Sequence, residues 1–72
     1  MPSVYEAPAR QGIDKCTIVR ENGESIRIYQ RDDGSVNLVR ISTRIETHPY
    51  IIINKKLVKP VGEILFNFGK SS

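Results

Sequence analysis

The sequence predicts an all-β fold, a small antiparallel meander of about five strands tending to a partly closed barrel, with an irregular N-terminal arm. Three observations predict it. Ile and Val dominate a hydrophobic content of 39%, and β-branched side chains fit a pleated surface better than a helix. Two dipeptides, Asn22-Gly23 and Asp33-Gly34, separate apolar runs from Cys16 to Arg20, Ser25 to Gln30 and Val36 to Ile45. Such dipeptides are the strongest short-range hairpin signals, because a tight type I′ turn needs positive φ at both central residues. Further turn signals recur at the spacing of roughly 8–12 residues usual for a chain of short strands.

The elements follow in order. Residues 1–13 are interrupted by Pro2, Pro8 and Gly12 and read as a flexible or extended arm. Ser3 and Glu6 have capping-box spacing, but Pro8 would break the helix they start. A single β domain is expected over 14–69, with a mobile tail at 70–72. Its first three strands are the runs around the two turns, and Thr47-His48-Pro49 ends the third. Tyr50 to Ile53 is an unbroken apolar run expected as a fourth strand. Asn54-Lys55-Lys56 turns the chain, and Lys59-Pro60-Val61-Gly62 is a second break. Glu63 to Phe68 is expected as a fifth strand, with Ile64, Phe66 and Phe68 sharing a core face.

Two-residue loops at both turns fix a register. Val19 then faces Ile26, Ile18 faces Arg27 and Cys16 faces Tyr29; on the other side Tyr29 faces Leu38, Ile28 faces Val39 and Arg27 faces Arg40. Directly paired residues share a face. One face collects Val19, Ile26, Ile28, Val39 and Ile41, flanked by Thr17 and Thr43, and is expected as the core. The other collects Arg20, Arg27, Arg40 and Arg44 around Cys16, Ile18, Tyr29 and Leu38.

Composition narrows the function. The chain has 72 residues, one domain near the lower size limit for folding without a metal or disulfide. Net charge is +3 and the pI about 9.3, mildly basic and short of a nucleic-acid tail. Aromatic content of 7% without Trp argues against a base-stacking platform. A single cysteine, Cys16, excludes an intramolecular disulfide and suits a reducing, cytoplasmic setting. No apolar run approaches the ~18 residues that span a membrane.

Catalysis needs paired groups, and one His and one Cys far apart in the chain supply no nucleophile–base pair and no zinc site. Asp32-Asp33-Gly34 lacks the terminal Glu of a calcium loop. No glycine-rich phosphate loop is present. The expectation is a non-catalytic protein without a cofactor or metal.

The mixed arginine–apolar face is the main lead. Arg and Tyr are enriched at interfaces where Lys is depleted, and Arg grips carboxylate or phosphate with two parallel hydrogen bonds. The expected function is a small regulator that docks on a protein of the transcription or nucleic-acid machinery through Arg20, Arg27, Tyr29, Arg40 and Arg44. An RNA polymerase or another nucleic-acid enzyme is the partner expected, in the manner of a phage-like inhibitor of a host enzyme; that analogy rests on size and composition. The alternative is direct RNA or DNA binding by the same face, helped by a secondary basic cluster at Lys55, Lys56 and Lys59. A third reading is a structural subunit of a homo-oligomeric assembly.

Overall fold

The computed structural model describes residues 2–42 and 48–71. It is a largely all-β meander, an open five-stranded antiparallel sheet in the order β1-β2-β3-β4-β5 followed by one helix. The strands are β1 (Ser3–Ala7), β2 (Ile13–Glu21), β3 (Glu24–Arg31), β4 (Val36–Ser42) and β5 (Tyr50–Ile53), and the helix is α1 (Lys55–Ser71). The sheet does not close into a barrel.

The β2–β3 hairpin forms as its turn dictates. Asn22 and Gly23 take φ of 51° and 80°, as a type I′ turn requires. The expected pairs Val19–Ile26, Ile18–Arg27 and Cys16–Tyr29 are all present. At the far end of β2 the register shifts between Ile13 and Lys15. This bulge sets Ile13 opposite Arg31 and so brings it onto the Cys16–Ile18 face.

The β3–β4 hairpin differs from expectation by one residue. Its loop is Asp32-Asp33-Gly34, closed by Gly34 N–H donating to the Arg31 carbonyl at 3.0 Å and Arg31 N–H donating to the Ser35 carbonyl at 2.9 Å. The Asp33 carboxylate accepts from both the Ser35 backbone N–H at 2.8 Å and the Ser35 hydroxyl at 2.6 Å. Gly34 sits at φ 90°, the left-handed residue that ends a three-residue hairpin loop.

Every β4 side chain therefore changes face. Arg27 pairs with Val39, Ile28 with Leu38 and Ile26 with Arg40. The expected Arg27–Arg40 pair is not formed. Arg40 instead reaches Glu24, Nη2 to Oε1 at 2.6 Å. The assignment of Val39 and Ile41 to the Val19–Ile26 face is corrected accordingly, and Thr43 and Arg44 lie outside the described residues.

The N-terminal arm takes the extended form of the two expected, and the expected fifth strand is corrected. The N-terminal arm contains β1, which pairs along its length with β2, Tyr5 opposite Ile18 and Ala7 opposite Cys16. The expected fifth strand, Glu63 to Phe68, is part of α1. Leu57, Val58, Val61, Ile64, Leu65 and Phe68 recur at helical spacing and form one stripe. Asn54 caps its start, its side-chain oxygen accepting from Lys56 N–H at 2.9 Å. Pro60 lies inside the helix, in its second turn. Phe66 and Phe68 are exposed rather than core, and Lys70 Nζ stands 5.2 Å over the Phe66 ring.

Burial is shallow. The buried apolar residues are Cys16 and Ile18, on the face expected to be the outer one. On the other face Val58, Val61 and Leu65 of α1 line a cleft of about 570 Å³ with Ile28, Val36, Leu38 and Ile53.

The β3–β4 turn sets the register, so its chemistry is open to test. Ser35 holds the Asp33 carboxyl below its ordinary value of 3.8. The contribution of these bonds is therefore complete above that value and is lost as pH falls through the lower native one. Asp33→Ala is expected to lower the unfolding midpoint at neutral pH, and its difference from wild type is expected to close below pH 3.8. Gly34→Ala sets a side chain at positive φ with its Cβ 3.2 Å from Lys55 Cβ; a urea titration should show a loss of about 1 kcal/mol or more.

Candidate functional site

Arg27 occupies the middle of β3, flanked by Ile18 of β2 and Val39 of β4. Its side chain shares a face with Tyr29, two residues on. A side-chain hydrogen bond to Tyr29 raises the guanidinium pKa still further above the physiological range, so the group is a permanent cation. Its Nε is buried and has no hydrogen-bond partner. A buried donor without a partner costs about 1–3 kcal/mol, and folded proteins leave few of them.

Arg27 lines a cleft of about 190 Å³ together with Ala7, Pro8, Arg10, Ile13, Cys16, Ile18 and Tyr29. Three local features build it. The tight turn at Gln11-Gly12 joins Arg10 to Ile13 by a reciprocal pair of backbone hydrogen bonds at 2.9 and 3.3 Å, which folds Arg10 back beside β2. The β2 bulge turns Ile13 inward. Cys16 and Ile18, buried between β1 and β3, form an apolar floor. None of the described residues lining the cleft is acidic.

Two arginines and a tyrosine thus line the cleft beside the buried Cys16 and Ile18. Low polarity strengthens the charge–charge attraction, and the planar fork of arginine matches a carboxylate. Across from Tyr29 on β4, Asn37 Oδ1 is a second buried atom without a partner.

The expected site residues separate. Arg27 and Tyr29 come together in the cleft. Arg20 shares their face but sits between Ser3 and Ser25 at the far end of β2, exposed. Arg40 lies on the opposite face, bound to Glu24, and Arg44 lies outside the described residues. Lys55 and Lys56 line a different cleft with Arg31 and Ser35 at the β3–β4 turn, and Lys59 lies further along α1. Arg10 escaped the sequence reading. It falls in the proline-interrupted segment, and the signal that places it, Gln11-Gly12 before an apolar strand, is a weaker hairpin sign than Asn-Gly or Asp-Gly. Among the described residues no group of three or more His, Cys, Asp or Glu is placed to hold a metal ion.

Comparison with family models, with curated proteins and with solved structures gives no match for this chain.

Removing the orphaned donor should relieve the fold. Arg27→Met keeps the aliphatic stem and deletes the unpaired Nε–H, and chemical denaturation is expected to show unchanged stability or a gain of up to about 1 kcal/mol. A loss beyond about 1 kcal/mol would mean that the Tyr29 hydrogen bond outweighs the relief of the unpaired Nε.

Proposed function

We propose that this chain is a small non-catalytic binding protein that docks on a larger protein by receiving one of its acidic side chains in the Arg10–Arg27 cleft. The observation that carries the reading is a cleft lined by Arg27, whose Nε is buried and unpartnered, and by a second arginine, with no described acid. A donor held in that state is a cost to the free chain that a carboxylate from a partner offsets. Tyr5, half-exposed beside Ile18 on the same face, and the more distant Arg20 extend the surface around it. That arrangement, an anchoring charge with aromatic and arginine neighbours, is the composition of interface hot spots.

The partner we assign is a protein of the transcription or nucleic-acid machinery, whose activity the chain modulates in a reducing cytoplasm. The net charge of +3 and the unpaired Cys16 support that assignment. Direct nucleic-acid binding is the weaker reading on geometric grounds. A phosphate backbone needs a run of cations along one track, whereas Arg27, Arg40 and the Lys55–Lys56 pair lie on two faces and at the end of the sheet.

The test is quantitative capture of a partner from bacterial lysate by the wild-type chain and by an Arg10→Ala, Arg27→Ala double variant, each with and without nuclease. A stoichiometric protein that survives nuclease, with affinity for the variant lower by ~2 kcal/mol or more, is the expected result. Nucleic acid as the sole captured species, released by moderate salt, overturns the reading in favour of phosphate binding.

A further inference from the structure

The two edges of the sheet are built differently. In an antiparallel ladder alternate residues turn their N–H and C=O toward the neighbouring strand and the rest turn them away. Arg40 N–H donates to the Pro49 carbonyl at 3.0 Å, and the register runs on through Val39–Tyr50, Leu38–Ile51 and Val36–Ile53. Ile51 and Ile53 therefore bond inward to β4, and Tyr50 and Ile52 present their backbone groups outward. Among the described residues no strand pairs with that outer edge. Pro49 does not protect it, since its missing N–H lies on the inner side.

On β1 the same alternation sends the backbone of even-numbered positions outward. Those positions are Pro2, Val4, Glu6 and Pro8. Two of the four lack the N–H that a new strand would need, and Glu6 is tied to Lys15 at 2.8 Å. Prolines and charges are how natural sheets block edge pairing. One edge is blocked, and the other is four uncharged residues, Tyr50-Ile51-Ile52-Ile53, of which the first three are 67%, 59% and 51% exposed.

We propose that the outer edge of β5 pairs antiparallel with β5 of a second copy of this chain, about a twofold axis at Ile51, to form a continuous ten-stranded sheet. Two features of the chain point to a copy of itself as the occupant. The first is self-complementarity. With Ile51 opposite its own counterpart, Tyr50 of each copy faces Ile52 of the other, and the outward groups of these two residues meet as reciprocal hydrogen-bonded pairs. An isologous contact requires such a palindrome, and aromatic–β-branched pairs are favourable cross-strand neighbours.

The second is area. A compact monomer of 8.2 kDa exposes roughly 4,500 Å², whereas this chain exposes 5917 Å². The excess is larger than the ~800 Å² that each partner contributes to a standard interface. Part of it lies on α1, whose Leu57, Ile64 and Phe68 are exposed. The twofold axis is normal to the joined sheet, so both helices come to the same side of it and these apolar residues can be covered there too.

Sedimentation equilibrium of the full chain at high micromolar concentration is expected to give a mass of two copies. Ile52→Pro removes an outward N–H and leaves the β4 ladder intact, and is expected to run as one copy with an unchanged circular dichroism spectrum. Ile51→Lys, which sets like charges against each other across the axis, is expected to weaken association about tenfold or more. Val4→Pro, on the opposite edge, is expected to leave the dimer intact. A wild-type chain that stays monomeric throughout overturns the proposal. So does an Ile52→Pro variant that still dimerises, or a dimer lost through Val4→Pro instead. These masses are independent of the Arg10–Arg27 cleft, so either proposal can fail alone.

Discussion

The hydrogen bonds between Asp33 and Ser35 are the constraint on which the rest of the structure depends. They hold the β3–β4 loop at three residues, and loop length sets register. With Arg31 paired to Ser35, Val39 and Ile41 fall on the face of Arg27, and Arg40 falls on the other. The parity continues outward. The alternate β4 residues Val36, Leu38 and Arg40 turn their backbone groups to β5, which leaves Tyr50 and Ile52 with theirs unused. Both the separation of Arg40 from Arg27 and the state of the sheet edge follow from one turn. A two-residue loop would have brought Arg27 and Arg40 together, a like-charge pair across strands. The longer loop gives Arg40 a carboxylate instead and leaves Arg27 for the cleft.

What was legible in the sequence divides along the same line. The β2–β3 hairpin was readable to the residue, because Asn22-Gly23 satisfies a turn with a single loop length. Asp33-Gly34 was ambiguous. The same dipeptide serves a two-residue loop or the last two positions of a three-residue one, and Ser35, the side chain that decides between them, carries no signal in a hydrophobic pattern. The helix was misread for a reason of period. Ile64, Phe66 and Phe68 alternate as a strand would, and Pro60 reads as a break. Over the whole 55–71 segment the apolar positions recur at helical spacing, and the cap at Asn54 supplies the start. Half of the candidate cleft, Arg27 with Tyr29, was visible from strand parity. Arg10 was not, since its position depends on a turn and a bulge that together fold the N-terminal segment back on β2.

The fold is thin for its size. Its buried apolar residues number two among those described, Cys16 and Ile18, and α1 has no buried residue. Backbone pairing along four strand interfaces therefore carries much of the specification, while side-chain burial contributes less than in a domain with a closed core. A chain built this way has surface to spare, and association is the natural means of covering it. The arginine cleft and the β5 edge use that surface differently. In the cleft a polar group lacks a partner; at the edge it is a strand's backbone, with apolar side chains on both faces.

The geometry of the proposed pairing ties the two together. A twofold axis normal to the sheet keeps equivalent faces of both copies on one side, so the two Arg10–Arg27 clefts open in the same direction. Counting strands from β3 and from β2 across the axis, at about 4.8 Å per strand, separates them by roughly 25–35 Å. A monomer would grip its partner through one cleft of about 190 Å³ and the surface around it. Two clefts on one rigid sheet turn the second contact into an intramolecular event, and affinity then rises without any new interaction. That gain is available only where the partner presents two acidic groups at a matching distance. Strand pairing would thus set not only the stability of this small protein but also the spacing it can recognise.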